Sequence, residues 1–411
     1  MTGHMRVGFH APDSVEELAY LVAEAADTRT PIEVMGRGTK REVGRPVQHG
    51  AVLSTESLVG VPLYEPSELT LVALAGTPVA QIEKLLAENE QEFPFEPVDL
   101  GPVLGFGRGE ATVGGMVATN ISGSRRILKG SVRDHVLGVQ AVNGQGEIVR
   151  AGGRVMKNVT GYDLARALAG SWGTLAVMTE ISLKVLPAPR EVRTVLCFGL
   201  ADGNAVEALC LAHRTPFEVS GTIHIQAELA ERLSDQEIAN AGAAVTAIRV
   251  ENFPASARYR SNRLKQMLQA YAPALELDTA RSRAFWDEIR ALKVFQKPAL
   301  PLWRISTLPS EAPKLVAQLA KKIDVKVLYD WSGGLIWLET PPISDVGAVE
   351  IRRTLAEFGG HATLIRAEAQ SRAVVDVFQP LDAPLMALSA GLKRAFDPIG
   401  ILNPGRMYAG I

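Results

Sequence analysis

Cysteine is nearly absent. Cys197 and Cys210 are the only two in 411 residues and form no CxxC. A disulfide scaffold, a Cys₄ zinc site and a protein-held iron–sulfur cluster are thereby excluded. The compartment reads as reducing and cytoplasmic. An excess of one charge is missing too: 43 Lys and Arg face 45 Asp and Glu, a net charge of −2. That balance argues against a nucleic-acid footprint and a polybasic membrane anchor. No charge-free run reaches the ~18 apolar residues of a spanning helix. Residues 1–10 lack the basic-then-apolar order of a signal peptide. Any peripheral membrane contact therefore passes through partners.

The familiar motifs are missing as well. Gly36 and Gly38 open a G-x-G-x-x-G that ends on Arg41; Gly105/Gly107 ends on Glu110 and Gly144/Gly146 on Val149. No P-loop, no Gly-x-Ser-x-Gly elbow and no H-E-x-x-H exists, so no metal ligand set is assigned.

What is present is apolar material, 47% of the chain, enough for two or three domains at ~150 residues each. The first half alternates helical and strand patterns around glycine-rich loops. Asp13-Ser14 with Glu17 predicts a capped helix over 15–26, and 32–35 a strand. Residues 69–75 read as a strand, with Thr77 as N-cap and Pro78 opening a helix to 88. The stretch 93–115 is irregular and long enough to be functional. Residues 137–150 form a hairpin around Asn143-Gly144, 161–168 a short helix and 174–186 a strand. Pro187-Ala188-Pro189 marks a boundary. Beyond it, strands at 191–197, 219–225, 244–250, 302–306, 326–329 and 335–338 alternate with helices at 255–271, 283–293, 313–321 and 346–358. A last helix, 384–396, precedes the tail.

Two glycine-rich turns suggest phosphate. Gly36-Arg37-Gly38-Thr39-Lys40 follows a strand and offers amides, a hydroxyl and cations; Thr112-Val113-Gly114-Gly115 offers amides at a helix start. Two phosphates imply a dinucleotide.

Three strings carry a resemblance. They are 111–123, ATVGGMVATNISG; 155–164, VMKNVTGYDL, followed by 170–175, GSWGTL; and the ending 396–406, FDPIGILNPGR. They resemble the FAD-contacting segments of FAD-linked oxidases of the vanillyl-alcohol oxidase and p-cresol methylhydroxylase type. Within that family the chain is most similar to the flavin-binding subunits of bacterial glycolate oxidase (glycolate dehydrogenase) complexes. The resemblance implies an α+β chain with a two-subdomain FAD-binding fold over 1–188 (internal boundary near 55–65). An α+β cap over 189–380 and a segment 381–411 returning to the flavin complete it. Carried over by position, Gly36, Arg37, Gly38, Thr39 and Lys40 would hold the diphosphate. Thr112, Gly114, Gly115, Asn120, Ser122 and Gly123 would line diphosphate and flavin. Thr179, Glu180 and Ile181 would meet the adenosine half by main-chain contacts, and Asn403 would approach the isoalloxazine. The first loop has no histidine, so FAD is expected to be non-covalent.

Two departures shape the functional expectation. The histidine-rich metal string of related catalytic subunits is missing, and Trp172 stands where relatives place Glu. The implied role is a companion subunit oxidising glycolate to glyoxylate alongside a catalytic FAD subunit and an iron–sulfur subunit. The alternative is a stand-alone D-lactate-like dehydrogenase; a scaffold without flavin is a third reading. Catalytic residues stay unassigned. Arg304 is a candidate cation for a substrate carboxylate and His135 a candidate base. Arg125-Arg126 and Lys129 are candidates for phosphate or solvent, and Tyr162 and Asp163 for a structural or flavin-proximal role. Trp331 and Trp337, flanking Ser332-Gly333-Gly334, read as hairpin aromatics or a subunit contact.

Overall fold

The computed structural model describes residues 8–153 and 163–411. A three-stranded parallel sheet comes first, in the order Gly8–His10, Ala51–Ser54, Ile32–Met35. Helix Val15–Thr28 crosses between its strands. Ser14 Oγ accepts the Glu17 N–H, Glu17 reaches back to the Asp13 N–H, and Arg29 ends the helix in the left-handed region. Leu18, Val22, Ala25 and Ala26 recur at helical spacing and are buried against Ile32, Leu53 and Leu58. Each large side chain there contributes about 1.5–3 kcal/mol by leaving water.

A five-stranded antiparallel sheet follows, ordered Leu63–Glu65, Thr70–Leu74, Ala176–Lys184, Val136–Asn143, Ile148–Gly152. Thr77 does not cap the next helix, Val79–Ala87. Pro78 takes that position, and the Thr77 hydroxyl instead exchanges hydrogen bonds with the Gly60 backbone. The short helix is confined to Leu164–Leu168, capped by Asp163. Tyr162 and most of the string 155–164 lie outside the described residues.

The third sheet has eight antiparallel strands: Ala274–Leu277, Glu191–Phe198, Val245–Asn252, Val219–Ile225, Lys326–Asp330, Leu335–Glu339, Leu302–Ser306, His361–Arg366. Helices Asp202–His213 and Pro254–Leu268 cover one face through Leu209, Leu264 and Leu268 against Val195 and Ile248. Register gives the other face its chemistry. Arg249 stands opposite Gly221, Asp330 opposite Ile223, and Arg304 opposite Trp337 and Thr363. This face meets residues 96–126. Ser124 Oγ donates to Asp330 (2.8 Å) and Trp331 Nε1 to the Gly123 carbonyl (3.0 Å). Among the described residues no helix is long and apolar enough to cross a membrane.

Buried charge crosses the same junction. Arg249 grips Glu96 through both Nη atoms (2.8 and 3.1 Å) beneath the Trp286 ring. Arg125 reaches Glu251 through Nε and Nη2, and Glu92 through Nη1. Burial alone would raise the Glu251 carboxyl, yet Arg125 and Arg249 hold it down to about 2. Burial prevails at Glu92, which rises to about 7 against the pull of Arg125. A carboxyl raised in the fold stabilises it fully below the unfolded value, 4.5, and that contribution is lost as pH rises towards 7. Glu92→Gln should therefore melt above the parent at pH 8 and with it at pH 4.5. A lower melting temperature at pH 8 would mean that the pairing with Arg125 outweighs burial.

Candidate functional site

A cleft of about 660 Å³ opens where strand Ile32–Met35 runs into the loop 36–40. It lies outside the carboxyl end of a parallel strand, the usual place for ligands in such sheets. The amides of Arg37, Gly38, Thr39 and Lys40 find no acceptor among the described residues, and neither does the Thr39 hydroxyl. Gly38, at φ +74°, supplies the turn. Lys40 is buried in the cleft wall with no carboxylate in ion-pair reach among the described residues. Burial lowers its pKa to about 8, opposed by the charge of Asp99. Free donors in sequence beside an uncompensated buried ammonium make an anion site. Arg37 is exposed at the rim, and Arg41 is committed to Glu33.

The opposite wall behaves otherwise than its glycines suggest. Thr112, Gly114 and Gly115 line the cleft, but most of their segment's amides are taken, with Thr112 N–H the one left without an acceptor among the described residues. Val113 N–H goes to Thr77 O, Gly114 N–H to Ala75 O, Gly115 N–H to Thr112 Oγ1 and Met116 N–H to Thr112 O. The glycines serve packing. A Cβ on Gly114 would lie 3.1 Å from the Ala75 carbonyl, and one on Gly36 far inside contact with Thr112 Oγ1. Gly36 thus makes room for the Thr112 side chain where the two loops meet.

Several expected contacts serve the scaffold instead. Asn120 ends helix Val113–Thr119 in the left-handed region, and its Oδ1 accepts Arg133 N–H. Ser122 Oγ accepts Val132 N–H, and Gly123 packs on the Glu96 carbonyl. Glu180 and Ile181 are paired on both sides, with strands Thr70–Leu74 and Val136–Asn143, whereas Thr179 sits at the irregularity opposite Gln140 and Ala141 with no register partner in either. The Thr179 carbonyl takes Ala75 N–H and its hydroxyl turns to Gln140. Asn403 is fully buried. Its amide binds Val34 N–H, Val34 O and Trp172 O, and so splints the strand that leads into the loop.

Neither catalytic candidate enters the cleft. His135 sets Nε2 against Lys129 O (2.6 Å) and tilts on Phe95; burial lowers its pKa. That is a structural histidine. Arg304 stands on the eight-stranded sheet, outside the cleft.

Residues not singled out complete the cavity: Gly173, Ala176, Val177, Met178 and Arg406, with Trp172. Arg406 is the last residue of the tail string 396–406. It donates to the Lys40 and Val43 carbonyls beneath the loop, and its buried Nε keeps no partner. Lys40 also borders a second cleft of about 830 Å³, lined by Pro97, Val98, Asp99, Arg108 and Met116. Asp99 pins this irregular stretch by accepting the Gly101 and Gly109 amides. Lys40 thus stands in the walls of both clefts.

Comparison with known proteins agrees with this geometry. Residues 8–152 match the family described as FAD binding domain. The chain is 36% identical to the glycolate oxidase subunit GlcE of Escherichia coli over 97% of its own length and 98% of that protein. It is 34% identical to a D-lactate dehydrogenase of Archaeoglobus fulgidus, over 45% of its own length and 40% of that enzyme. Among solved structures it superposes on p-cresol methylhydroxylase with TM-score 0.73 at 14% identity, covering 98% of this chain and 88% of that one. The chain belongs to the family of FAD-linked oxidoreductases that includes glycolate oxidase subunit GlcE, and it has the fold of p-cresol methylhydroxylase.

Proposed function

We propose that this chain is the FAD-carrying companion subunit of a complex that oxidises a small 2-hydroxy acid, glycolate foremost, to the 2-oxo acid. The observation that carries the FAD assignment is buried, unpaired Lys40 beside the acceptor-free amides of 37–40, the chemistry a diphosphate requires. Thr112, Gly114 and Gly115 form the facing wall, and Gly173 to Met178 the apolar lining. Bound FAD supplies the acceptor for the two electrons. No histidine stands in the loop 36–40, so the cofactor is held without a covalent bond.

The substrate and subunit role take their support from the glycolate oxidase subunit, which this chain matches end to end, whereas the D-lactate dehydrogenase overlaps in less than half. The partners are a catalytic FAD subunit and an iron–sulfur subunit, because two cysteines cannot hold a cluster. The complex is cytoplasmic, and any membrane contact is made by its partners.

The purified chain should be yellow and release all flavin on acid or heat denaturation; flavin left in the precipitate would refute non-covalent binding. Alone, it should oxidise glycolate slowly or not at all with a dye acceptor, and co-expression with both partners should restore turnover. A lone chain as fast as the complex would instead make it an independent dehydrogenase.

A further inference from the structure

Unpaired positive charge gathers a second time, on the sheet face that meets residues 96–126. Arg304 lies half-buried in strand Leu302–Ser306. Its guanidinium makes no hydrogen bond or ion pair with any described residue, and its Nε is sealed from solvent. Arg126 comes from the facing segment, helix Arg126–Lys129, and its guanidinium is equally unpaired. Both sit over the indole of Trp331, 5.2 and 4.8 Å from its centre. Thr363, directly across the strand pair from Arg304, adds a hydroxyl, and His361 stands on the same strand opposite Ser306.

Two acids are near. Asp330, which accepts from Ser124 Oγ and from Trp331 N–H, acts on Arg304 by its charge and Asp134 acts on Arg126, but neither is within ion-pair distance of its arginine among the described residues. Two like charges are therefore held together, partly desolvated, with no directly paired carboxylate. That arrangement is unfavourable until an anion enters, and favourable afterwards. Burial, and then the charge of Arg126, lowers the Arg304 pKa to about 10, as expected for a cation awaiting a partner.

We propose that Arg126 and Arg304 form a small-anion site over Trp331 that binds a carboxylate, the group shared by a 2-hydroxy acid and its 2-oxo product. The proposal rests on the oxidoreductase reading for the identity of the acid, and on the unpaired arginines for the existence of the site. Arg304 Nε is sealed and Trp331 is 6% exposed, so access suits a free small acid rather than a flat protein surface. Neither arginine lines the clefts around Lys40, so carboxylate and diphosphate do not compete for donors.

The test titrates the flavin-loaded chain with acetate, glycolate and inorganic phosphate at constant ionic strength, by calorimetry and tryptophan fluorescence. Saturable binding of acetate and glycolate is expected. It should weaken about tenfold or more in Arg304→Gln and in Arg126→Gln, the loss of one charge-assisted hydrogen-bond set. Arg126→Gln, on the rim, serves should Arg304→Gln fail to fold. In Trp331→Phe the fluorescence response should shrink while calorimetric binding persists. No saturable binding, parental affinity in both arginine variants, or equal binding of phosphate and acetate would each overturn the proposal. The visible flavin band separates the two readings. A colourless chain that still binds acetate defeats the flavin reading alone, and a yellow chain blind to acetate defeats the carboxylate site alone.

Discussion

Arg249→Met should unfold well before the parent, losing about 3–5 kcal/mol, the usual cost of removing one member of a buried ion pair. For a chain of this length that is a fall in melting temperature of roughly 5 °C. The cause is the residue left behind. Glu96 is nine-tenths buried, and burial would raise its pKa. It stays ionised because Arg249 first, then Arg125, outweighs that penalty. Without Arg249 it must either remain an uncompensated charge or take up a proton. Arg249→Met combined with Glu96→Met should recover most of the loss, since apolar replacement of the whole pair removes the desolvated charge as well. Thermal denaturation of the three variants at pH 7 decides it. A single variant as stable as the parent would show that the Arg249–Glu96 pair adds nothing to the junction.

The second large effect falls on the cofactor. Gly36→Val should abolish flavin retention through gel filtration while leaving the far-ultraviolet circular dichroism unchanged. Its Cβ would collide with Thr112 Oγ1 and drive apart the two loops that frame the cleft. Gly115→Ala should be mild, because its Cβ would stand 3.2 Å from the same oxygen and 3.7 Å from Lys40 Nζ. Lys40→Met should weaken FAD about 10- to 100-fold, the value of one charge-assisted contact to phosphate. A Gly36→Val protein that keeps stoichiometric flavin would move the diphosphate away from this loop.

What the sequence revealed, and what it hid, follows from the range of the interactions. The helix over 15–28 was legible because cap, capping box and apolar spacing lie within one segment. The loop 36–40 was legible because nothing distant satisfies its amides. The local pattern hides that Val113 and Gly114 give their amides to Thr77 and Ala75, contacts made by folding. The hydrogen bonds of Asn403 are hidden likewise: its partners, Val34 and Trp172, lie 369 and 231 residues away. Strand Ala274–Leu277 escaped notice because Ala-Leu-Glu-Leu favours a helix, and pairing with Glu191–Phe198 overrides it. Helix Asp202–His213 was hidden by its opening Asp-Gly-Asn, which imitates a turn. Arg126 and Arg304 were both visible in the sequence, but only the sheet register brings them to one indole.

The tail splints the strand that carries the anion loop. Ile32 N–H binds the Ile401 carbonyl, Asn403 N–H binds the Ile32 carbonyl, and Lys393 ties the Thr174 and Leu402 carbonyls to Asp397. This has a consequence for biosynthesis. At 5–20 residues per second, the 369 residues between Val34 and Asn403 take about 20–70 s to translate. The edge beside Ile32–Met35 stays unpaired for all of that time. Capture of the nucleotide therefore waits for residues 401–403, and a chain cut short before Asn403 should be colourless however well its first two hundred residues have folded.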